Sequence, residues 1–282
     1  RASTSKKNIA FCGYHGWHDW YLAANIKSNN LSTHLLSGLR VQGVPSNLKN
    51  TIYPFKYNDF ESLEKLIEKK NIGIIKMEVV RNEMPKNNFL KKVRNIATKN
   101  NIILIFDECT TGFRQAFGGI HKIFKVNPDI MILGKALGNG YAITSVLGKN
   151  KIMKNIKNTF ISSTFWTERI GSVAALKTLD IMESTKSWEK ITKIGNEIRK
   201  NWKRIAKKNN LKILITGIPA LSVFSFTGKN NNFYKTFITR EMLKKGFLAS
   251  NTVYTSVAHN KKILKKYYKE LDIIFKKIKE IE

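Results

Sequence analysis

Apolar, β-rich runs alternate along this chain with polar segments that carry apolar residues at helical spacing. Ile9-Ala10-Phe11-Cys12 predicts a strand entering a loop rich in Gly, His and Trp, and Thr51 to Phe55 a short strand. From Asn58 to Lys70 the apolar positions Phe60, Leu63, Leu66 and Ile67 fall on one helical face, with Asn58 or Asp59 placed to cap its start. Ile72 to Val80 predicts a strand, and Phe89 to Asn100 a helix with Leu90, Val93, Ile96 and Ala97 inward. Ile102 to Phe106 is a continuous apolar run of the kind buried on both faces of a parallel sheet; Pro128 to Leu133 and Ile143 to Gly148 are two more. Strand and helix in this rhythm predict an α/β fold with a mostly parallel sheet.

The character changes after Glu168. Long helices are predicted from Ile170 to Met182 and from Trp188 to Lys208. Strand-like pieces follow at Leu211 to Thr216 and Leu221 to Thr227, then a helix near Phe233 to Lys245 and an amphipathic helix from Lys261 to the end. The expected division is a large domain over residues 1–185 and a smaller α+β domain over residues 186–282.

Candidate chemistry sits where apolar runs stop. Asp107 ends one, inside Phe106-Asp107-Glu108-Cys109-Thr110-Thr111-Gly112-Phe113-Arg114. Ligands of open α/β sheets lie at the carboxyl ends of strands, which favours a ligand-facing acid. The rival is that Asp107 or Glu108 merely caps the next helix. An Asp-Glu pair also suits a nucleotide-hydrolysing site, but no Gly-x-x-x-x-Gly-Lys-Ser/Thr loop accompanies it. Lys135 lies 28 residues beyond Asp107, between Gly134 and Ala136, after the run Ile130 to Leu133 and just before Gly138 and Gly140. Small neighbours let a flat cofactor approach, and a desolvated Lys is a usable nucleophile. Its rival is a surface Lys in a turn. A Lys able to form a Schiff base and a buried carboxylate for a ring nitrogen are what pyridoxal phosphate requires. Gly13-Tyr14-His15-Gly16 could stack an aromatic on such a ring. Cys12, His15 and His18 lack a second ligand cluster at zinc spacing, so no metal site is expected. Ser162 to Arg169 sets hydroxyls before a helix, suiting either a phosphate or an ordinary cap.

Composition changes this picture little. The 282 residues, 42% hydrophobic, suffice for one or two cored domains. Two cysteines, Cys12 and Cys109, offer no disulfide framework, which fits a reducing, cytoplasmic setting. No apolar run reaches bilayer length, so no membrane span is expected. The net charge of +30 raises a polyanion-binding reading. Lysines are scattered over nearly every helical segment, as at Lys69-Lys70, Lys91-Lys92 and Lys207-Lys208, beside abundant Ile and Asn. That scatter points to codon bias and non-specific attraction rather than a dedicated nucleic-acid surface.

Four segments in order, Gly13 to Trp20, Asp107 to Arg114, Gly134 to Gly140 and Ser162 to Arg169, resemble the class III pyridoxal-phosphate-dependent aminotransferases of fold type I. Within them the chain is similar to glutamate-1-semialdehyde 2,1-aminomutase and its relatives in surface-polysaccharide biosynthesis. The resemblance implies a Schiff base at Lys135, Asp107 paired with the pyridine nitrogen, Cys109 under one ring face, and Tyr14 on the other with His15 beside it. It implies a cofactor-binding role for Glu78, although Val79 stands where the family usually has Pro. Thr164 would reach the cofactor phosphate of a partner subunit, hence a homodimer; Glu168 and Arg169 follow without an assigned role. The substrates would be a small-molecule amino donor and a carbonyl acceptor. The chain begins after the family's phosphate-gripping loop and has no starting Met, so a truncated, inactive fragment is expected.

Overall fold

The computed structural model describes residues 1–26, 31, 38–228 and 230–281. Two compact units result, Arg1–Asp180 and Ile181–Glu282.

The first unit is built on a six-stranded sheet. Its strands are β1 (Asn8–Cys12), β2 (Ile52–Pro54), β3 (Ile72–Glu78), β4 (Ile103–Asp107), β5 (Ile130–Leu133) and β6 (Ser145–Gly148). The spatial order is β2-β1-β3-β4-β5-β6, with every pair parallel except β5 and β6. Chain crossovers carry the short helix α1 (Asp19–Leu22) and the longer α2 (Phe60–Lys70) and α3 (Phe89–Lys99). α2 starts where Asp59 accepts the Ser62 N–H and stops at Asn71, whose φ of 46° only a residue tolerant of the left-handed region takes comfortably. Leu63 from α2 and Leu90, Val93 and Ala97 from α3 are buried, as their spacing required.

One strand differs from expectation. The run Ile143 to Gly148 forms only Ser145–Gly148, antiparallel at the sheet edge. Val146 and Leu147 are about half exposed, so the run is not buried on both faces. An apolar run fixes neither strand direction nor edge position.

The chain then passes through the one-turn helix α4 (Asn150–Met153) and enters α5 (Ile170–Thr185). The second unit holds α6 (Ser187–Lys208), β7 (Ile213–Thr216), β8 (Leu221–Phe226), α7 (Asn231–Lys244), β9 (Thr252–Tyr254) and α8 (Lys261–Ile281). Its strands form a separate antiparallel sheet in the order β7-β8-β9. Trp202, Phe224, Phe226, Leu271 and Phe275 fill its core. The polar end of Trp202 is satisfied by the Tyr267 hydroxyl, 2.8 Å away. β9 escaped the sequence pattern because three residues are too few to show alternation. No helix among the described residues is long and apolar enough to cross a membrane.

Candidate active site

Parallel strands deliver their carboxyl ends to one edge of the sheet, and four adjacent ones do so here. β1 ends at Cys12 and leads into Gly13, Tyr14 and His15; β3 ends at Glu78, β4 at Asp107, and β5 at Leu133, two residues before Lys135. Glu78, Asp107 and Ile132 are register partners across β3, β4 and β5.

Asp107 is held from three directions. His15 Nδ1 lies 3.0 Å from Oδ2, Lys76 Nζ lies 3.5 Å from the same oxygen, and the Cys109 N–H donates to Oδ1 at 3.2 Å. The other ring nitrogen of His15 is 3.1 Å from the Cys12 carbonyl oxygen, so both nitrogens of this buried ring face acceptors. Burial pushes the Asp107 carboxyl up, but the His15 bond, the His15 and Lys76 charges and the Cys109 amide outweigh it and hold the group below its ordinary value. It is a carboxylate at neutral pH.

Lys135 occupies an exposed position with φ 46°, a left-handed conformation that a Lys side chain rarely adopts. Its Nζ donates to Thr110 Oγ1 at 2.6 Å. A side chain at the preceding Gly134 would press on Cys109 Sγ at 3.3 Å, so the loop bearing Lys135 lies close against Cys109. Burial, then the Asp107 carboxylate, raise the Cys109 thiol to about 11, with Lys135 pulling the other way. It is neutral at pH 7, which suits an apolar contact better than a nucleophile.

Glu78 acts on the loop after β1. Its Oε2 accepts the Tyr14 N–H at 2.9 Å and the Arg81 guanidinium at 2.8 Å. Gly13 makes this approach possible: with φ 106°, a Cβ there would stand 2.4 Å from Glu78 Oε2. Arg81 also lies over the Tyr14 ring, 5.9 Å from its centroid. Val79, which stands where the resembled family usually has Pro, is buried, and its carbonyl accepts from the Tyr57 hydroxyl.

Tyr14, His15, Glu78, Asp107, Cys109 and Lys135 thus share one edge of the sheet. Thr164 stands apart, exposed on a turn before α5 and outside these hydrogen bonds among the described residues. Glu168 caps α5, accepting from the Gly171 N–H at 3.1 Å. Sequence reasoning missed Lys76, Thr110, Trp20 and Arg81. Lys76 did leave a signal, as the one charged residue inside the strand Ile-Gly-Ile-Ile-Lys-Met that precedes Glu78.

The class-III aminotransferase family matches residues 1–275. The chain is 34% identical over 248 residues to 3-aminobutyryl-CoA aminotransferase of Cloacimonas acidaminovorans, covering 85% of this chain and 56% of that protein. It is 30% identical over 283 residues to glutamate-1-semialdehyde 2,1-aminomutase of Sulfurisphaera tokodaii, covering 92% and 66%. In fold it is similar to the FumI protein of Sphingopyxis sp. MTA144, solved in its PLP internal aldimine form, with a TM-score of 0.86, 22% identity, and 99% of this chain matched to 66% of that one. An omega-transaminase from Sphaerobacter thermophilus gives a TM-score of 0.84 at 18% identity, over 98% and 69%. The chain therefore spans between 56% and 66% of the length of the two curated relatives named here.

Proposed function

The chain belongs to the class-III aminotransferases, and on that premise we propose that its protein uses pyridoxal 5'-phosphate to move an amino group, with Lys135 as the point of covalent attachment. The reading is carried by the meeting of Asp107, its neighbours His15 and Lys76, Tyr14 and the constrained Lys135 at the carboxyl ends of β1, β3, β4 and β5.

The residues present fit such a cofactor at its ring. They supply a carboxylate for the ring nitrogen, an aromatic and a neutral thiol for the two faces, and an amine on a short loop beside them. When bound, the cofactor supplies an electron sink next to the carbon that bears the substrate's amine. Asp107 would hold a proton on the ring nitrogen, with His15 fixing the carboxylate. Tyr14 would pack on one face and Cys109 on the other. Glu78 would act by anchoring the Tyr14 backbone. Thr110 would accept a hydrogen bond from the Lys135 amine when that amine is not attached to the cofactor. The free Lys135 amine would serve as base and acid at the substrate carbon that bears the amine.

The substrates would be a small-molecule amino donor and a carbonyl acceptor. Relatives bearing both aminotransferase and aminomutase names support amino-group transfer and leave two outcomes. Return of the amine to the same molecule makes a glutamate-1-semialdehyde-type aminomutase. Transfer to a separate acceptor makes a transaminase, including one acting on a sugar of surface-polysaccharide biosynthesis. Thr164 would reach the cofactor phosphate of a second copy. A homodimer is supported by the exposed run Phe160, Phe165, Trp166, Ile170, Val173 and Leu176, an apolar strip that calls for a cover.

The test is chemical. The full-length protein is incubated with pyridoxal phosphate, reduced with borohydride and digested. The labelled peptide should contain Lys135, and a label on another lysine ends the reading. Conversion of glutamate 1-semialdehyde without added acceptor would mark the aminomutase, and dependence on an added keto acid the transaminase.

A further inference from the structure

Lys76 stands in the middle of a parallel strand whose flanking positions, Ile74, Ile75 and Met77, are all buried. An ammonium placed there needs a compensating partner, because lysines are almost never buried unpaired. Its side chain is 15% exposed. Its Nζ is 3.5 Å from Asp107 Oδ2 and 5.1 Å from the centre of the Trp20 ring. Trp20 in turn stacks on His15, with centroids 6.2 Å apart and planes inclined by 24°. His15 contacts the same Oδ2 at 3.0 Å. Lys76, Trp20, His15 and Asp107 therefore form a closed circuit on one face of the sheet. Both side-chain donors converge on Oδ2, which leaves Oδ1, engaged by the Cys109 amide, with acceptor capacity to spare.

Resting on the cofactor reading above, we propose that Lys76 is a positioning residue that sets, through Asp107, how firmly a ring nitrogen bound there keeps its proton. The reasoning is electrostatic. A cation beside a carboxylate favours the ionised form and weakens its pull on a neighbouring proton, and the same cation opposes positive charge on the ring. Both effects run in one direction, so Lys76 tempers the electron sink. The groups facing Asp107 are His15 from the loop after β1, Lys76 and the Asp107 register partner Glu78 from β3, and Cys109 from the loop after β4, on whose thiol Lys135 acts in turn. Among them Lys76 is the cation whose removal alters the charge at Asp107 without deleting a group assigned to touch the cofactor.

The experiment compares the parent protein with Lys76→Met and Lys76→Arg. Carboxyl carbon NMR of Asp107 is followed against pH without cofactor, and the absorbance of bound pyridoxal phosphate is followed against pH with it. In K76M the Asp107 midpoint should rise by about one pH unit, and the absorbance midpoint should rise with it. K76R should return both toward the parent values, which a purely steric role would not require. An Asp107 midpoint unmoved in K76M, or an absorbance midpoint unmoved while Asp107 shifts, overturns the proposal. A parent protein that takes up no pyridoxal phosphate while K76M still moves Asp107 overturns the cofactor reading instead, and leaves the Lys76–Asp107 coupling standing.

Discussion

Asp107 and Glu108 are consecutive carboxylates at the end of β4, yet they serve different regions. Successive side chains of a strand leave on opposite faces. Asp107 turns to the edge where the loop after β1 and the Lys135 loop gather, and its partners are His15, Lys76 and one amide. Glu108 is fully buried and turns to the segment Ile120–Phe124. There it accepts the Ile120 and His121 N–H groups at 2.6 and 3.0 Å, the Thr111 hydroxyl at 3.1 Å and the His121 ring at 2.6 Å. The capping reading of the motif describes Glu108, which accepts the first two N–H groups of that segment, whereas Asp107 accepts one backbone amide and faces two side-chain nitrogens. Count and strength of contacts do not separate them. What separates them is that Glu108 closes a loop by accepting two backbone N–H groups, a hydroxyl and a neighbouring ring of that loop, whereas Asp107 is met by side chains from two other elements, the loop after β1 and β3.

The largest expected effect breaks the pair apart. Asp107→Asn should lower turnover of the loaded, full-length protein by about 10²- to 10⁴-fold, the range for losing control of a proton in the reaction, with a modest fall in unfolding midpoint. Glu108→Gln should do the reverse. An amide can accept through one oxygen only, so at least one buried N–H of Ile120 or His121 is left facing an NH₂ group. The cost should be roughly 3 kcal/mol or more, read as a lowered denaturant midpoint, with little change in turnover per folded molecule. Equal stability losses in the two variants would show that both acids are structural.

The strand framework and Asp107 were readable because buried parallel strands are continuous apolar runs and because the acid interrupts one at its end. Lys135 was readable only through Gly134, Gly138 and Gly140, since the chain carries 50 Lys and Arg residues. That same abundance hid Lys76: one more Lys drew no attention, although its place inside β3 is physically unusual. The segment Ser162 to Arg169 suited either a phosphate or a cap in sequence, and the bond from the Gly171 N–H to Glu168 is a cap. Antiparallel β6 was misread because hydrophobicity carries no strand direction. Thr110 was lost among neighbouring hydroxyls, since only the folded loop brings it to Lys135.

A smaller effect extends the contrast to the opposite end of the sheet. Asp129 precedes β5, and its Oδ2 accepts the Leu104 N–H at 2.9 Å and Arg94 at 2.8 Å while Oδ1 accepts Lys149 at 2.7 Å. Burial pushes its carboxyl up, but the Leu104 amide and the two cations hold it below the ordinary value. A depressed folded value means the contribution is complete above the unfolded value of roughly 4 and disappears as pH falls through the folded one. Asp129→Asn should therefore cost about 1–3 kcal/mol at pH 7 and should flatten the loss of stability below about pH 4. Cofactor uptake should not change. An acid limb as steep in the variant as in the parent would show that Asp129 contributes nothing to it.

The smallest effect sets the baseline for a carboxylate with no chemical role at all. Asp59 starts α2 by accepting the Ser62 N–H at 3.0 Å, while the Ser62 hydroxyl donates back to the Asp59 carbonyl at 2.9 Å. Glu61 in the first turn adds favourable charge at the same helix end. Asp59→Ala removes one capping acceptor and should cost about 1 kcal/mol. Asp59→Asn, which keeps the acceptor, should recover most of it. Chemical denaturation of the three proteins measures both steps. Because α2 lies in the crossover between β2 and β3, its fraying should leave the Asp107 titration where it was. A shift of that titration in Asp59→Ala would mean that the site edge depends on how the crossover is seated, and the division between structural and chemical carboxylates would then have to be drawn by element rather than by residue.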